Sequence, residues 1–297
     1  MSFLGNTDRI RNVINLQHSY HSKFFRERNF QEMIKLFVSD LDGTLLHEEK
    51  YVEQHNADAL SELQRQGVEV CLASGRMDTE ILKISTDINN TFHRISQNGG
   101  FVWTKENQEL HGKVFEDDLA VQLYKKTIDP NRITLVCSND TNYVEQRNEI
   151  IEAIETHMFF PIEEQIEMTD SFGHALSPSK ITVLGDHDEM VALQKEVNEE
   201  FGDYIDTYIS AKQCLDIMPK HISKGNAIEI LLNHLQLKPE EIACVGDSFN
   251  DIPMFQLTPN SFAMATAPEA VQRHASAVVS SVSEAARIVL EKNKQTT

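Results

Sequence analysis

Short, uniformly apolar runs alternate along this chain with stretches in which apolar residues return every third or fourth position, a pattern of buried strands interleaved with amphipathic helices. The first run, Ile34, Leu36, Phe37 and Val38, is too short and too evenly apolar for a helix and reads as a buried strand of a parallel sheet. It breaks off at Asp40-Leu41-Asp42-Gly43-Thr44, and Leu45 and Leu46 resume the apolar character. Apolar positions 52, 57, 60 and 63 predict a helix that Gly67 stops. A second buried strand over 68–73 ends in Ser74-Gly75-Arg76, and a helix is expected over 78–88. A shorter strand around Ile95 then leads into Asn98-Gly99-Gly100 and the apolar residues 101–103. Strands and helices joined this closely predict right-handed crossovers and a doubly wound parallel sheet.

The regularity loosens between 116 and 214. Helical spacing over 117–127 precedes strands at 133–138 and 143–144, a helix around 147–157, and a Pro-containing stretch, 159–178, expected at the surface. A strand at 181–184, a helix over 188–201 closed by Gly202, and a strand at 204–209 complete a set large enough to be its own small α/β domain. The earlier alternation then returns. Ser223-Lys224-Gly225 opens a helix with apolar residues at 227, 228, 231, 232 and 235, and a strand at 242–245 ends in Gly246-Asp247-Ser248-Phe249-Asn250-Asp251. A helix to about 257, the apolar segment 263–267 and a final helix over 283–292 close the chain. The expected architecture is α/β: a doubly wound core from residues 33–115 and 215–297, with residues 116–214 inserted as a cap.

Composition narrows the function classes. Hydrophobic residues make up 40% and charged residues 25% of the 297 positions, ordinary for a soluble globular protein. No apolar run approaches the ~20 residues that span a bilayer. A formal net charge of −19 speaks against non-specific binding to nucleic acid or an anionic membrane, and any anionic substrate must be met by a local cation. Cys71, Cys137, Cys214 and Cys244 lie far apart within apolar runs, as reduced core thiols of a cytoplasmic protein would. Residues 1–32 differ from the rest: with Arg9, Arg11, Lys23, Arg26 and Arg28 against Asp8, Glu27 and Glu32, they carry +2 and leave −21 to the remainder. They show no secretory pattern and are expected to be a poorly ordered or weakly helical extension, in which His18 and His21 are too isolated to form a metal site.

The chemistry starts at Asp40 and Asp42, just past the carboxyl end of the first strand, where open α/β sheets place their ligands. Two carboxylates one residue apart, with Gly43 letting the chain turn away, make a cradle whose natural counter-ion is a hard divalent cation such as Mg²⁺. Taken alone, the stretch also reads as a solvated acidic turn. An EF-hand loop is excluded, because Thr44 stands where that loop needs Asp or Asn and Gly43 comes too early.

Four short segments, DLDGT at 40–44, SGR at 74–76, SKG at 223–225 and GDSFND at 246–251, occur in this order with the insertion between the second and third. Together they resemble the haloacid dehalogenase superfamily, and in spacing its Cof-type phosphatases, over residues 33–290. The resemblance implies a Rossmann-type core and Mg²⁺-dependent hydrolysis of a small phosphate monoester, a sugar phosphate or a phosphorylated cofactor, through an aspartyl-phosphate. Asp40 would be the nucleophile and a metal ligand, Asp247 a second ligand, and Asp42 a further ligand through its main-chain carbonyl, its side chain serving as acid and base. Ser74 and the Gly75 amide would donate to phosphoryl oxygens, Lys224 would supply fixed positive charge, and Asn250 would orient phosphate or substrate. Thr44, Arg76 and Asp251 are expected in supporting roles, Asp251 beside Lys224 or the metal; Asn98 faces the same edge, and His221 stands near enough to line the pocket. Ala265-Thr266 and the segment 283–286 depart from the family pattern without touching these residues. Open alternatives are a phosphomutase or phosphotransferase using the same Asp40 and Mg²⁺, and a non-catalytic phosphometabolite-binding regulator, against which the presence of both Asp40 and Asp42 speaks. The expected partner is a small phosphorylated metabolite, and the chain is expected to be a monomer or weak homodimer.

Overall fold

The structure, a computed structural model, describes residues 32–47, 51–138, 140–156, 160–211 and 213–296. Apart from Glu32, the expected N-terminal extension lies outside the described residues, His18 and His21 included. Leu36–Ser39 forms the middle of an eight-stranded sheet, with Ile242–Gly246 on one side and Glu69–Ala73 on the other, both parallel to it. Ser261–Met264 and Ala277–Val279 continue the parallel order on one flank, and His93–Ser96 does so on the other. Beyond His93–Ser96 the expected parallel order stops: Phe101–Trp103 and Glu109–Gly112 return antiparallel. The connections there are too short for a crossover helix and admit only hairpins.

Side-chain alternation along the central strands explains the two layers of helices. Phe37, Leu72, Ala243 and Val245 point to one face and pack on Leu60 and Leu63 of helix Gln54–Arg65 and on Val282, Ala285 and Val289 of helix Val282–Thr296. Leu36, Val38, Cys71 and Cys244 point the other way, onto Ala227, Ile228 and Leu231 of helix Lys224–Leu235 and onto Met254 and Phe255 of helix Ile252–Leu257. The strand is thus buried on both sides, which is why its sequence shows no polar face.

A second sheet has six strands in the order Glu163–Glu164, Thr141–Val144, Ile133–Ser138, Pro178–Leu184, Cys214–Pro219, Ile205–Ala211. Cys214–Pro219 corrects the expectation that the core resumes at 215, because this strand pairs antiparallel with both Pro178–Leu184 and Ile205–Ala211. Its Leu215 and Ile217 join Val136, Ile181 and Val183 on the face packed against helices Asp117–Thr127 and His187–Phe201. Residues 160–178, expected at the surface, bury Ile162, Met168, Phe172 and Leu176 in the two cap clusters. None of the four cysteines forms a disulfide. Among the described residues, no helix is long and apolar enough to cross a membrane.

Phe37 is fully buried between sheet and helices. Phe37→Ala should lower stability by about 3–5 kcal/mol in urea denaturation, whereas a loss under about 1 kcal/mol would mean that this face is not the packed core.

Candidate active site

The carboxyl ends of three adjacent parallel strands bring the expected residues together: Leu36–Ser39 delivers Asp40, Glu69–Ala73 delivers Ser74, and Ile242–Gly246 delivers Asp247. The Asp40 amide donates to the Val245 carbonyl (3.0 Å), which locks the turn-off of one strand to its neighbour. At the centre is Lys224, wholly buried at the start of its helix, where the Ser223 hydroxyl caps the Asn226 amide. Its Nζ donates to Asp40 Oδ1 (2.5 Å) and to Asp251 Oδ1 (2.6 Å). Asp251, equally buried, accepts the Asp247 and Ser248 amides on its other oxygen, both at 2.9 Å. Burial alone would lower the Lys224 pKa, but Asp251 and Asp40 outweigh it and hold the ammonium above its ordinary value.

Two glycines permit this crowding. A Cβ on Gly43, whose φ is +79°, would lie 2.4 Å from Asp247 Oδ2, and one on Gly246 would lie 2.4 Å from Asp251 Oδ2. Thr44 closes the turn by donating from Oγ1 to Asp247 Oδ1 (3.2 Å). Burial pushes the Asp40 carboxyl well above the usual range despite Lys224, and burial together with Asp251 raises Asp247 to about 6. Oxygens of Asp40, Asp247 and Asp251 lie within 4.8 Å of one another. Since Asp251 already serves Lys224 and two amides, Asp40 and Asp247 are the carboxylates left to take a cation. A buried Asp40 and a half-buried Asp247, both with raised proton affinity and reached past a side-chain-free Gly43, fit a hard divalent ion.

Asp42 differs from its expected state. The sequence reading leaves its carboxylate free, but Arg76 clamps it through Nε (2.9 Å to each oxygen) and Nη2 (2.6 Å). The turn after Glu69–Ala73 swings the guanidinium across the strand ends, and Glu80 steadies it from the far side at 3.3 Å. Ser74 Oγ accepts the Arg76 amide (3.1 Å) and lies 3.4 Å from Asp42 Oδ2. Asn250 Nδ2 donates to Asn98 Oδ1 (3.0 Å), leaving Asn98 Nδ2 and Asn250 Oδ1 buried without a partner among the described residues. Asn98 holds a left-handed conformation (φ 58°) and packs against Gly75, where a Cβ would stand 3.2 Å from its side-chain oxygen. His221, by contrast, is exposed and does not line the pocket; its amide donates to Asp206.

Asp40, Asp42, Ser74, Gly75, Arg76 and Asn250 line a cavity of about 340 Å³ roofed by the second sheet. The roof residues Lys180, Thr182 and Asp216 were not singled out in the sequence, although the alternation of polar 180 and 182 with apolar 181 and 183 signals a two-sided strand. Two contacts tie roof to floor. Lys180 Nζ donates to the Gly75 carbonyl (3.1 Å), and the Asp140 carboxylate accepts the first amides of helix Asp78–Asp87, from Asp78 (2.8 Å) and Thr79 (2.7 Å).

Residues 37–288 match the haloacid dehalogenase-like hydrolase family. Over 224 residues the chain is 27% identical to the HMP-PP phosphatase of Citrobacter koseri, covering 75% of this chain and 81% of that one. A haloacid dehalogenase-like hydrolase from Bacteroides thetaiotaomicron superposes with a TM-score of 0.77 at 23% identity, over 86% of this chain and 99% of the other. A HAD/COF-like hydrolase from Plasmodium vivax does so with 0.79 at 22% identity, over 90% and 97%. The chain belongs to the haloacid dehalogenase-like hydrolase family.

Removing Asp251 takes one of the two anions from the buried Lys224 and leaves two amides without their acceptor. Asp251→Ala should therefore cost about 3–5 kcal/mol in chemical denaturation, while a change near zero would contradict the pairing.

Proposed function

We propose that this protein hydrolyses a small phosphate monoester with Mg²⁺, passing through a phosphoryl group bound to Asp40. The observation that carries the reading is Lys224 fixed on Asp40 Oδ1, which leaves the other oxygen of a carboxylate at the cavity floor to attack phosphorus. The new bond forms between that oxygen and phosphorus as the ester P–O bond breaks, and the leaving alkoxide takes a proton from Asp42. Asp42 must first come off Arg76. An arriving phosphate, itself a bidentate acceptor, competes for the guanidinium and frees the Asp42 carboxyl to reach the leaving oxygen. Once deprotonated, Asp42 accepts a proton from water as the water oxygen attacks phosphorus and releases Asp40. Ser74, the Gly75 amide and Asn250 hold phosphoryl oxygens, Lys224 supplies fixed positive charge behind Asp40, and Thr44 and Asp251 fix Asp247 and Lys224 in place. Mg²⁺ held by Asp40, Asp247 and the Asp42 main-chain carbonyl would neutralise charge on the phosphoryl group. The substrate class is a sugar phosphate or a phosphorylated cofactor.

Turnover of an aryl phosphate by Asp40→Asn should fall at least about a thousandfold with the fold intact, and chelation should abolish wild-type turnover. Residual wild-type-like activity in the variant would remove Asp40 from the reaction.

The metal reading carries a pH signature. Because the folded pKa of Asp247 is raised to about 6, its protonated form is the one favoured in the metal-free fold. That contribution to stability is complete below the unfolded carboxylate value and is lost as pH rises through about 6. Mg²⁺ competes with this proton, so it should raise Tm at about pH 7.5 and far less at about pH 5. Equal shifts at both would contradict the assignment of Asp247.

A further inference from the structure

The roof of the cavity holds charges that the cap does not need for its own packing. Lys180, Thr182 and Leu184 alternate with Ile181 and Val183, so one face of strand Pro178–Leu184 enters the cap core and the other looks down on Asp40. In the next strand Asp216 stands directly opposite Thr182, and Leu135 flanks Thr182 from the other side. Leu135, Thr182 and Asp216 therefore form one cross-strand row over the catalytic floor. Asp216 is 4% exposed. Its Oδ1 accepts from Thr182 Oγ1 (2.6 Å) and lies 4.0 Å from Lys180 Nζ, while its Oδ2 has no partner among the described residues. A carboxylate that lines the cavity and keeps one oxygen without a protein donor can accept a hydrogen bond from a bound molecule.

The charges around the cavity limit what that can be. Asp40, Asp42, Glu80 and Asp216 line it, and among the described residues the cationic side chains lining it are Arg76 and Lys180. Arg76 is engaged by Asp42 and Glu80, and Lys180 sits against Asp216 and the Gly75 carbonyl. Once a phosphoryl group is seated on the floor, the described residues of the roof hold no uncompensated positive charge to offer a second anion. Leu135, Ile154 and Leu184 provide an apolar wall beside Asp216.

We propose that Asp216 selects the leaving group: the site takes monophosphates whose alcohol is uncharged or cationic and donates a hydrogen bond to Asp216, and it rejects those carrying a second anionic group. This rests on the phosphatase reading above. Asp216 acts here as a specificity determinant, with Thr182 and Lys180 positioning it.

The test compares phosphate release by the full-length protein with Mg²⁺ from an aryl phosphate, a hexose monophosphate, the matching hexose bisphosphate and a phosphorylated carboxylic acid. Wild type should favour the hexose monophosphate over either doubly anionic compound by at least about tenfold in kcat/KM. Asp216→Asn keeps the size and an acceptor but drops the charge, and it should shrink that ratio at least about fivefold. The ratio is read within each protein, so a general loss of activity does not mimic the effect, and if the variant fails to fold the wild-type ratio alone decides. A wild-type ratio near one, or a ratio that Asp216→Asn leaves unchanged, overturns the proposal while aryl phosphate turnover keeps the phosphatase reading standing. Absence of release from every compound, the aryl phosphate included, overturns both.

Discussion

A lysine ammonium with no access to water must have anions beside it, and at Lys224 those anions are Asp40 and Asp251. This one requirement organises the site. It draws the helix start at Ser223 under the sheet, the loop after Ile242–Gly246 over it, and the end of Leu36–Ser39 between them. Each of these segments also carries a group that cannot be moved without exposing the buried charge: the Gly246 backbone against Asp251, the Gly43 turn against Asp247, the Asp40 amide on Val245. Pre-organisation of this kind costs stability in the metal-free protein, where burial raises the proton affinity of Asp40 and Asp247, and it places charge where a phosphoryl group will need it.

The cap follows a different logic. One face of its sheet packs on helices Asp117–Thr127 and His187–Phe201, and the opposite face, part of which packs on helix Glu149–Glu155, closes the cavity. Lys180 on the Gly75 carbonyl and Asp140 on the amides of Asp78 and Thr79 join it to the same turn that carries Ser74 and Arg76. Any movement of the cap therefore reaches the turn that clamps Asp42. The proposed leaving-group recognition above and the proposed acid–base chemistry below would thus share a connection of a few hydrogen bonds.

Much of this was legible in the chain itself. Strands buried on both faces leave an unbroken apolar run, and polar groups that end such runs must lie along one sheet edge. That reasoning places Asp40, Ser74 and Asp247 together, and the structure does bring them together with Lys224 and Asp251. What escaped depends on direction rather than position. Whether Arg76 reaches back to Asp42 or out to solvent is set by the path of a turn, which no residue pattern specifies. Cys214–Pro219 runs into the following loop with Pro219 as its last residue, so its membership of the cap sheet shows only in its pairing. Asp216 stands singly in an apolar run, Lys180 in an alternating stretch distant from it in sequence; only the strand register makes them neighbours.

The central claim is that phosphorus becomes bonded to Asp40. The direct measurement is to quench the protein during turnover of an aryl phosphate, reduce it with borohydride, which converts an acyl phosphate to an alcohol, and sequence the peptides by mass spectrometry. The account predicts homoserine at position 40 and nowhere else, formed only when substrate is present. Brisk turnover with an unmodified Asp40, or with the modification at another carboxylate, would contradict it.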